Sequence, residues 1–337
     1  MEYSSVVALV LAAGKGTRMQ SDNPKVLHEV FFSPMIHHVL DALQPMLLGG
    51  NLVVTGHQGQ LVEDALREYP VSFVHQAPQL GTGHAVLACE DELHSHQGSV
   101  LILCGDTPLI RTETLLRFLH THFENTSLLT VMTTNVADPG NYGRIVTDEH
   151  GNIMRIVEEK DATLAQKEIR EINAGIYCVD AHFLFKALKK VGTDNMQGEI
   201  YLTDIVAIAT GDGIHVHKFC CTDSDEVLGV NSRRELAKAH SVLQRRYLNV
   251  LMDSGVTFIQ PDSVSIGKHV AIGKDSVIYP NTSLTGVCKV GSGVRIDSFV
   301  KIHDCAIGDE VCIGSFTYLQ QTSIPSKAKV APHTVMM

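Results

Sequence analysis

The 337-residue sequence contains no tryptophan, and only 6% of its residues are aromatic. A core short of that bulk has to be built from Val, Ile, Leu and Ala. Positive charge is also scarce: 27 Lys and Arg against 37 Asp and Glu leave a formal charge of −10. That balance argues against a general nucleic-acid or anionic-membrane surface and leaves room for a local basic pocket. The longest uninterrupted apolar stretch is Val6 to Ala13, far short of the ~20 residues of a membrane-spanning helix. No Cys-x-x-Cys pair occurs among the eight cysteines, so they read as reduced, mostly buried thiols and not as a disulfide framework or a zinc site. Met1-Glu2-Tyr3 lacks the positive charge that opens a secretory leader, so a cytoplasmic location is expected.

The length suits two domains, and the first ~230 residues alternate short apolar strands with helix-length segments. Val6–Ala13, Asn51–Thr55, Val71–His75, Ser99–Cys104 and Leu128–Thr133 read as strands; Met35–Met46, Gln58–Glu68, Gly83–Leu93 and Thr112–Phe123 read as helices. Such alternation implies a mostly parallel sheet covered on both faces, with ligands at the carboxyl ends of its strands. After Arg144 shorter strands, Ile153–Glu158 and Gly175–Val179, suggest an excursion over the mouth of the sheet. Ser232 to Ser254 reads as one helix, capped by Ser232 and Glu235 as a capping box and stopped by Gly255.

From Ile266 onward aliphatic residues recur every six: Ile266, Ile272, Ile278, Leu284, Val290, Ile296 and Ile302. After a one-residue deletion come Ile307, Ile313 and Leu319, and after a second, Ile324 and Val330. Four positions after each stands a small or β-branched residue, Ala306 and Ser323 among them. That period fits neither an α-helix nor a free strand. It fits a triangular β-solenoid of about four coils, whose open end needs a cap or a partner.

Leu11-Ala-Ala-Gly-Lys-Gly-Thr-Arg-Met19 follows directly on the first strand. Gly14 and Gly16 permit close backbone approach to a phosphate, yet the same residues also suit a plain strand–helix turn. Gly14-Lys15 is followed by Gly16, which is not a Walker A loop, and Met19 stands where a dinucleotide fingerprint needs a third small residue. Arg18 and Lys25, the latter after Pro24, add positive charge to the loop. His37-His38, His94-x-His96 and His215-x-His217 look like metal pairs, but no Cys or carboxylate spacing completes a zinc site, so they read as surface or satisfied residues.

This signature, with Pro24-Lys25, resembles that of sugar-1-phosphate nucleotidylyltransferases. The match extends in order through Gln76, Gln79-Leu-Gly-Thr-Gly-His84, Gly105-Asp106-x-Pro-Leu-Ile110, Gly140-Asn-Tyr-Gly-Arg-Ile145, Ile156-Val-Glu-Glu-Lys-Asp-Ala162, Glu171-Ile-Asn-Ala-Gly175, Gln197-Gly-Glu-x-Tyr-Leu-Thr-Asp204 and Gly229-Val-Asn-Ser232. In this extent it is similar to the bacterial bifunctional N-acetylglucosamine-1-phosphate uridylyltransferase / glucosamine-1-phosphate acetyltransferase family. The resemblance implies a Rossmann-like nucleotide-diphospho-sugar transferase sandwich over 1–231, a helical linker over 232–254, and a short left-handed β-helix over 255–337. It implies uridylyl transfer from UTP to N-acetylglucosamine 1-phosphate, with Mg²⁺ held by Asp106 and Asn231. Leu11, Ala12, Ala13, Gly14, Gln76, Gly81, Thr82 and Gly105 would bind the nucleotide, and Arg18 and Lys25 would act in catalysis. Gly143, Glu158, Asn173, Tyr201 and Thr203 would hold the sugar. A homotrimer is implied, with no nucleic-acid or membrane partner. Two departures stand out: Cys104 occupies a position where the family usually has tyrosine, and the acetyltransferase motifs are not found in the hexads, so acetyl transfer is not expected. A glucose-1-phosphate enzyme and a non-catalytic sugar-nucleotide sensor are the alternatives.

Overall fold

The apolar runs of the first ~230 residues assemble into one twisted sheet in which an interior strand, Val6–Leu11, pairs in parallel with Gly50–Thr55 on one side and Ser99–Cys104 on the other. Ser72–His75 extends the first side; Glu171–Asp180, Leu129–Asn135 and His217–Cys221 extend the second. The alternation of side chains along each strand divides two cores. Val6, Ala8, Val10, Leu101 and Leu103 face one layer of helices, while Leu9, Val100 and Ile102 face the other. The computed structural model describes residues 3–337, so the Met1-Glu2 part of the leader expectation lies outside the described residues. Among them, no helix is long and apolar enough to cross a membrane, and all eight cysteines are free thiols.

One departure from the parallel expectation bears on the site. Glu171–Asp180 runs antiparallel to both neighbours, because the chain returns from an excursion. In that excursion Arg144–Thr147 and Ile153–Val157 form a hairpin that joins the sheet only where Arg144 meets Ile172. The register of Glu171–Asp180 slips between Asn173 and Tyr177, a bulge that re-aims Asn173 and sets Gly175 at φ +72°.

The chain divides into two units: the first runs to Glu29 and from Ser33 to Glu235, and the second comprises Val30–Phe32 and Leu236–Met337. The long helix spans Arg233–Asp253. Its start is only half of a capping box: Ser232 Oγ accepts the Glu235 N–H at 3.2 Å, but the Glu235 carboxylate takes the Asn231 N–H at 2.7 Å instead of that of Ser232. Gly255 follows at φ +97°.

In the second unit, three parallel sheets form the sides of a left-handed β-helix. All twelve hexad aliphatics are buried, none more than 9% exposed. Ile278 pairs with Ile296 eighteen residues on, and Val290 with Ile307 seventeen on, so each deletion shortens one coil without breaking register. The shortening moves the inward small residue: Cys305 is buried while Ala306 is exposed, and the less exposed Thr322 takes the inward place expected of Ser323. Strands Thr257–Phe258 and Val335–Met336 extend the array beyond the hexads read from sequence. Leu248 and Leu251 of the helix pack into the same core, and the Tyr247 hydroxyl donates to the Val270 carbonyl at 2.6 Å. The helix thus supplies a cap for the first coil.

Candidate active site

Beside the first strand the chain leaves the sheet in opposite directions, through Val54 on one side and Cys104 on the other, and Leu11 stands between them. A crevice opens at such a switch point, outside the carboxyl ends of the strands. Here it is a cavity of about 680 Å³. Leu11, Ala12, Ala13 and Gly14 line its floor, with Gln76, Gly81 and Thr82 on one wall and Lys25, Cys104 and Asp106 on another. A Cβ added at Gly14 would meet nothing within 4 Å, so that backbone faces open space. Gly16 is fixed by a different need: it sits at φ +61°, and a Cβ there would lie 2.5 Å from that of Lys25. A larger cavity, about 800 Å³, is lined by Tyr3, Met46, Leu47, Leu116, Phe219 and neighbours, and no carboxylate or amide side chain is among its lining residues.

Polar partners refine several roles. The Gln76 amide donates to the Gly81 carbonyl at 3.0 Å and pairs with His84 Nδ1 at 3.1 Å, which occupies both its hydrogens and leaves its carbonyl oxygen for a ligand. Gly105 does not line the cavity, and its N–H is taken by the Leu11 carbonyl at 2.9 Å. Lys15, Gln79 and Glu199, to which the sequence reading gave no role, do line it. Gln79 lies in a quoted motif, so its place in a loop at a strand end was the available signal.

Lys25 Nζ donates to a carboxylate oxygen of Asp106 and, at 3.0 Å, to Asn231 Oδ1. Arg18 Nη2 donates to the same Asn231 oxygen at 2.9 Å. One carboxylate and one amide oxygen therefore converge on a single cationic point, which is the test a hard divalent cation sets. Among the described residues, no group of three or more His, Cys, Asp or Glu could hold a metal ion. The pair thus fits a metal whose remaining ligands are water and phosphate oxygens.

The expected sugar residues form a connected group. Asn173 donates its N–H to the Gly143 carbonyl at 2.9 Å, and Gly143 lies against Glu158. Thr203 Oγ1 donates to Glu158 at 3.1 Å. Burial pushes the Glu158 carboxyl up, and Asp204, Asp161 and Glu199 add to that, against the opposing Thr203 hydrogen bond. The Asn173 amide donates to Tyr177 Oη at 2.6 Å and accepts from the Gly175 N–H at 3.1 Å. The Tyr201 hydroxyl bridges Gln197 and Asp161. The Cys104 thiol points at the Gly175 carbonyl, and burial, with the Asp106 charge second, pushes it up to about 12, so it is held neutral. Among the histidine pairs, His37 contacts the Ala65 carbonyl, His96 that of Ser99, and His215 stacks edgewise on His217.

The model of MobA-like NTP transferase domains matches residues 8–170, which hold the floor loop, Gln76, Asp106 and Glu158. That of bacterial transferase hexapeptides, six repeats, matches residues 288–321. The bifunctional protein GlmU of Desulfotalea psychrophila is 42% identical over 322 residues, spanning 96% of this chain and 95% of that protein. The protein of that name from Heliobacterium modesticaldum is 47% identical over 306 residues, 91% of this chain and 67% of its own length. That of Streptococcus agalactiae is 40% identical, over 97% of this chain and 71% of its own. With likeness of this grade across both units, the chain belongs to the GlmU family of nucleotidyltransferases.

Proposed function

We propose that the chain transfers the uridylyl group of UTP to N-acetylglucosamine 1-phosphate and releases pyrophosphate. The observation that carries this reading is the convergence of Asn231 and Arg18 on Lys25 and Asp106, the last two of which line the switch-point cavity. The sugar phosphate is already an anion, so no general base is required. The work left to the protein is alignment and charge neutralisation around an in-line attack on the α-phosphorus. Lys25 and Arg18 would neutralise the charge that grows as pyrophosphate departs. Asp106 and Asn231 would hold Mg²⁺, which neutralises phosphate charge when bound. The free Gln76 oxygen accepts a hydrogen bond, which suits the N3–H of uracil and repels the bare N3 of cytosine. Gly143, Asn173, Glu158 and Thr203 would grip the sugar, with Tyr201 supporting through Asp161.

For the coils we propose assembly without acetyl transfer. Exposed Phe299 and Phe316 stack with His333 in an ordered outer ladder, rings 5.1 Å apart, which supports packing between copies. Acetyl transfer needs a free base beside an amine. Of the hexad histidines, His269, His303 and His333, none stands in the family's acetyltransferase motif. A trimeric mass by light scattering is expected, with no coenzyme A released from acetyl-CoA and glucosamine 1-phosphate. The main test is pyrophosphate release across four nucleoside triphosphates and several sugar phosphates. Turnover confined to UTP and N-acetylglucosamine 1-phosphate supports the reading. Equal use of glucose 1-phosphate refutes the sugar assignment, and binding of UDP-sugar without turnover refutes catalysis.

A further inference from the structure

The loop that carries Asn231 is held by a residue to which no role has been given. The Tyr142 hydroxyl accepts the Gly229 N–H at 2.9 Å and donates to the Gly229 carbonyl at 3.3 Å. The other end of Tyr142 is tied down as well: the buried Arg144 guanidinium bonds its carbonyl, the Gly140 carbonyl at 3.2 Å and the Glu159 carboxylate at 2.6 Å. Gly229 in turn orients Asn231. Its carbonyl accepts the Asn231 side-chain N–H at 3.2 Å, which turns the amide so that Oδ1 faces Lys25 and Arg18. The next residue, Val230, anchors the loop to the Asp106 carbonyl at 2.8 Å.

We propose that Tyr142 is a positioning residue: through Gly229 it sets which end of the Asn231 amide is presented beside Asp106. An amide has one oxygen end, so a rotation that exchanges O and N replaces a ligand with two donors that repel a cation. Without the phenol oxygen, the Gly229 N–H loses its acceptor and the Gly229 carbonyl one of its donors, so the carbonyl that orients the Asn231 amide is less firmly held. Outer groups of this kind typically govern metal affinity by about 10–100-fold.

The inference rests on the uridylyltransferase reading, and its test separates the two. Mn²⁺ binding is measured by electron paramagnetic resonance on the full chain with UDP-N-acetylglucosamine present, alongside turnover. Tyr142→Phe is expected to weaken Mn²⁺ binding by about tenfold and to lower kcat at limiting Mg²⁺. The KM for sugar phosphate should stay within about twofold, since the metal oxygen and not the sugar grip is disturbed. Gly229→Ala should also weaken Mn²⁺ binding, because its Cβ would come within 3.3 Å of Asp106 Oδ1 and force a small shift there. The deciding variant is Asn231→Asp, whose carboxylate presents an oxygen whichever way it turns. In that background Tyr142→Phe should change Mn²⁺ affinity less than about twofold. An equal loss in both backgrounds, or no loss in Tyr142→Phe alone, overturns the role of Tyr142 while leaving an active wild type intact. A wild type that neither turns over nor binds Mn²⁺ removes the parent reading and this one together.

Discussion

Asp106→Asn removes one negative charge while keeping the shape of the side chain, and the structure indicates how much that charge matters. Asp106 and Lys25 are both largely shielded, at 13% and 16% side-chain exposure. Unit charges 4 Å apart at an effective dielectric constant near 20 interact by about 4 kcal/mol. Water and competing phosphates reduce the share felt in the transition state, so a loss of about 3–4 kcal/mol, or on the order of 10²–10³ in kcat, is expected. The backbone carbonyl of Asp106, which anchors Val230, is untouched by the change, so the loop should hold and the melting temperature should move by only a few degrees. The assay is pyrophosphate release at saturating substrates with Mg²⁺ titrated. A metal-ligand role lowers kcat and shifts the Mg²⁺ half-saturation upward together. A kcat within threefold of wild type at saturating Mg²⁺ would refute the assignment. A rate loss that merely tracks lost thermal stability would refute it equally.

Lys25→Ala should depress kcat more than it raises the KM for UTP, because its partner charge grows only in the transition state; a pure KM effect in steady-state kinetics would reassign Lys25 to ground-state binding. N-acetylglucosamine 1-phosphate should exceed glucose 1-phosphate in kcat/KM by about tenfold or more, since the analogue leaves buried polar groups unpaired. Cys104→Tyr should raise kcat/KM for the acetamido sugar by restoring contact area beside Gly175, read in the same substrate panel. Glu158 gives a pH test. Its carboxyl is raised by burial, and the ionised form accepts stronger, charge-assisted hydrogen bonds from sugar hydroxyls at both oxygens, whereas the acid keeps one weaker acceptor. The KM for sugar phosphate should therefore rise as pH falls through that raised value, and Glu158→Gln should lose this limb. The sign for stability is opposite: the fold disfavours the charged form, so this group's contribution declines as pH rises from the ordinary glutamate range to the raised one. Melting curves of wild type and Glu158→Gln across that window check it.

How far these elements could be read in advance depended on whether a residue's role is set by its neighbours along the chain or by distant ones. The hexads were legible because each inward aliphatic is buried by its own coil and by coils seventeen or eighteen residues away, a spacing that the sequence carries openly. Ser99–Cys104 was legible as an apolar strand buried on both faces. Asp204–Gly211 was not read at all: its Ile-Val-Ala-Ile run suits a buried strand as well as a helix, and its place in the core beside Leu184 and Leu188 decides between them. His217–Cys221 was also passed over, because an edge strand with a Lys and two Cys shows little alternation.

The site divides along the same line. The glycine loop and the Gly-Asp pair could be located because strand ends announce themselves. The shift from Ala306 to Cys305 inside the coils could not, since a deletion says that a corner is shorter without saying which residue turns inward. The orientation of the Asn231 amide lay further out of reach: it follows from Tyr142 through Gly229, across 87 residues of chain. Along the chain Tyr142 stands next to Gly143, a residue expected to hold the sugar. The hydrogen bonds connect it to Asn231 and Asp106 instead. Sequence proximity therefore points to the candidate site groups, but the residues that orient those groups have to be found through their bonds.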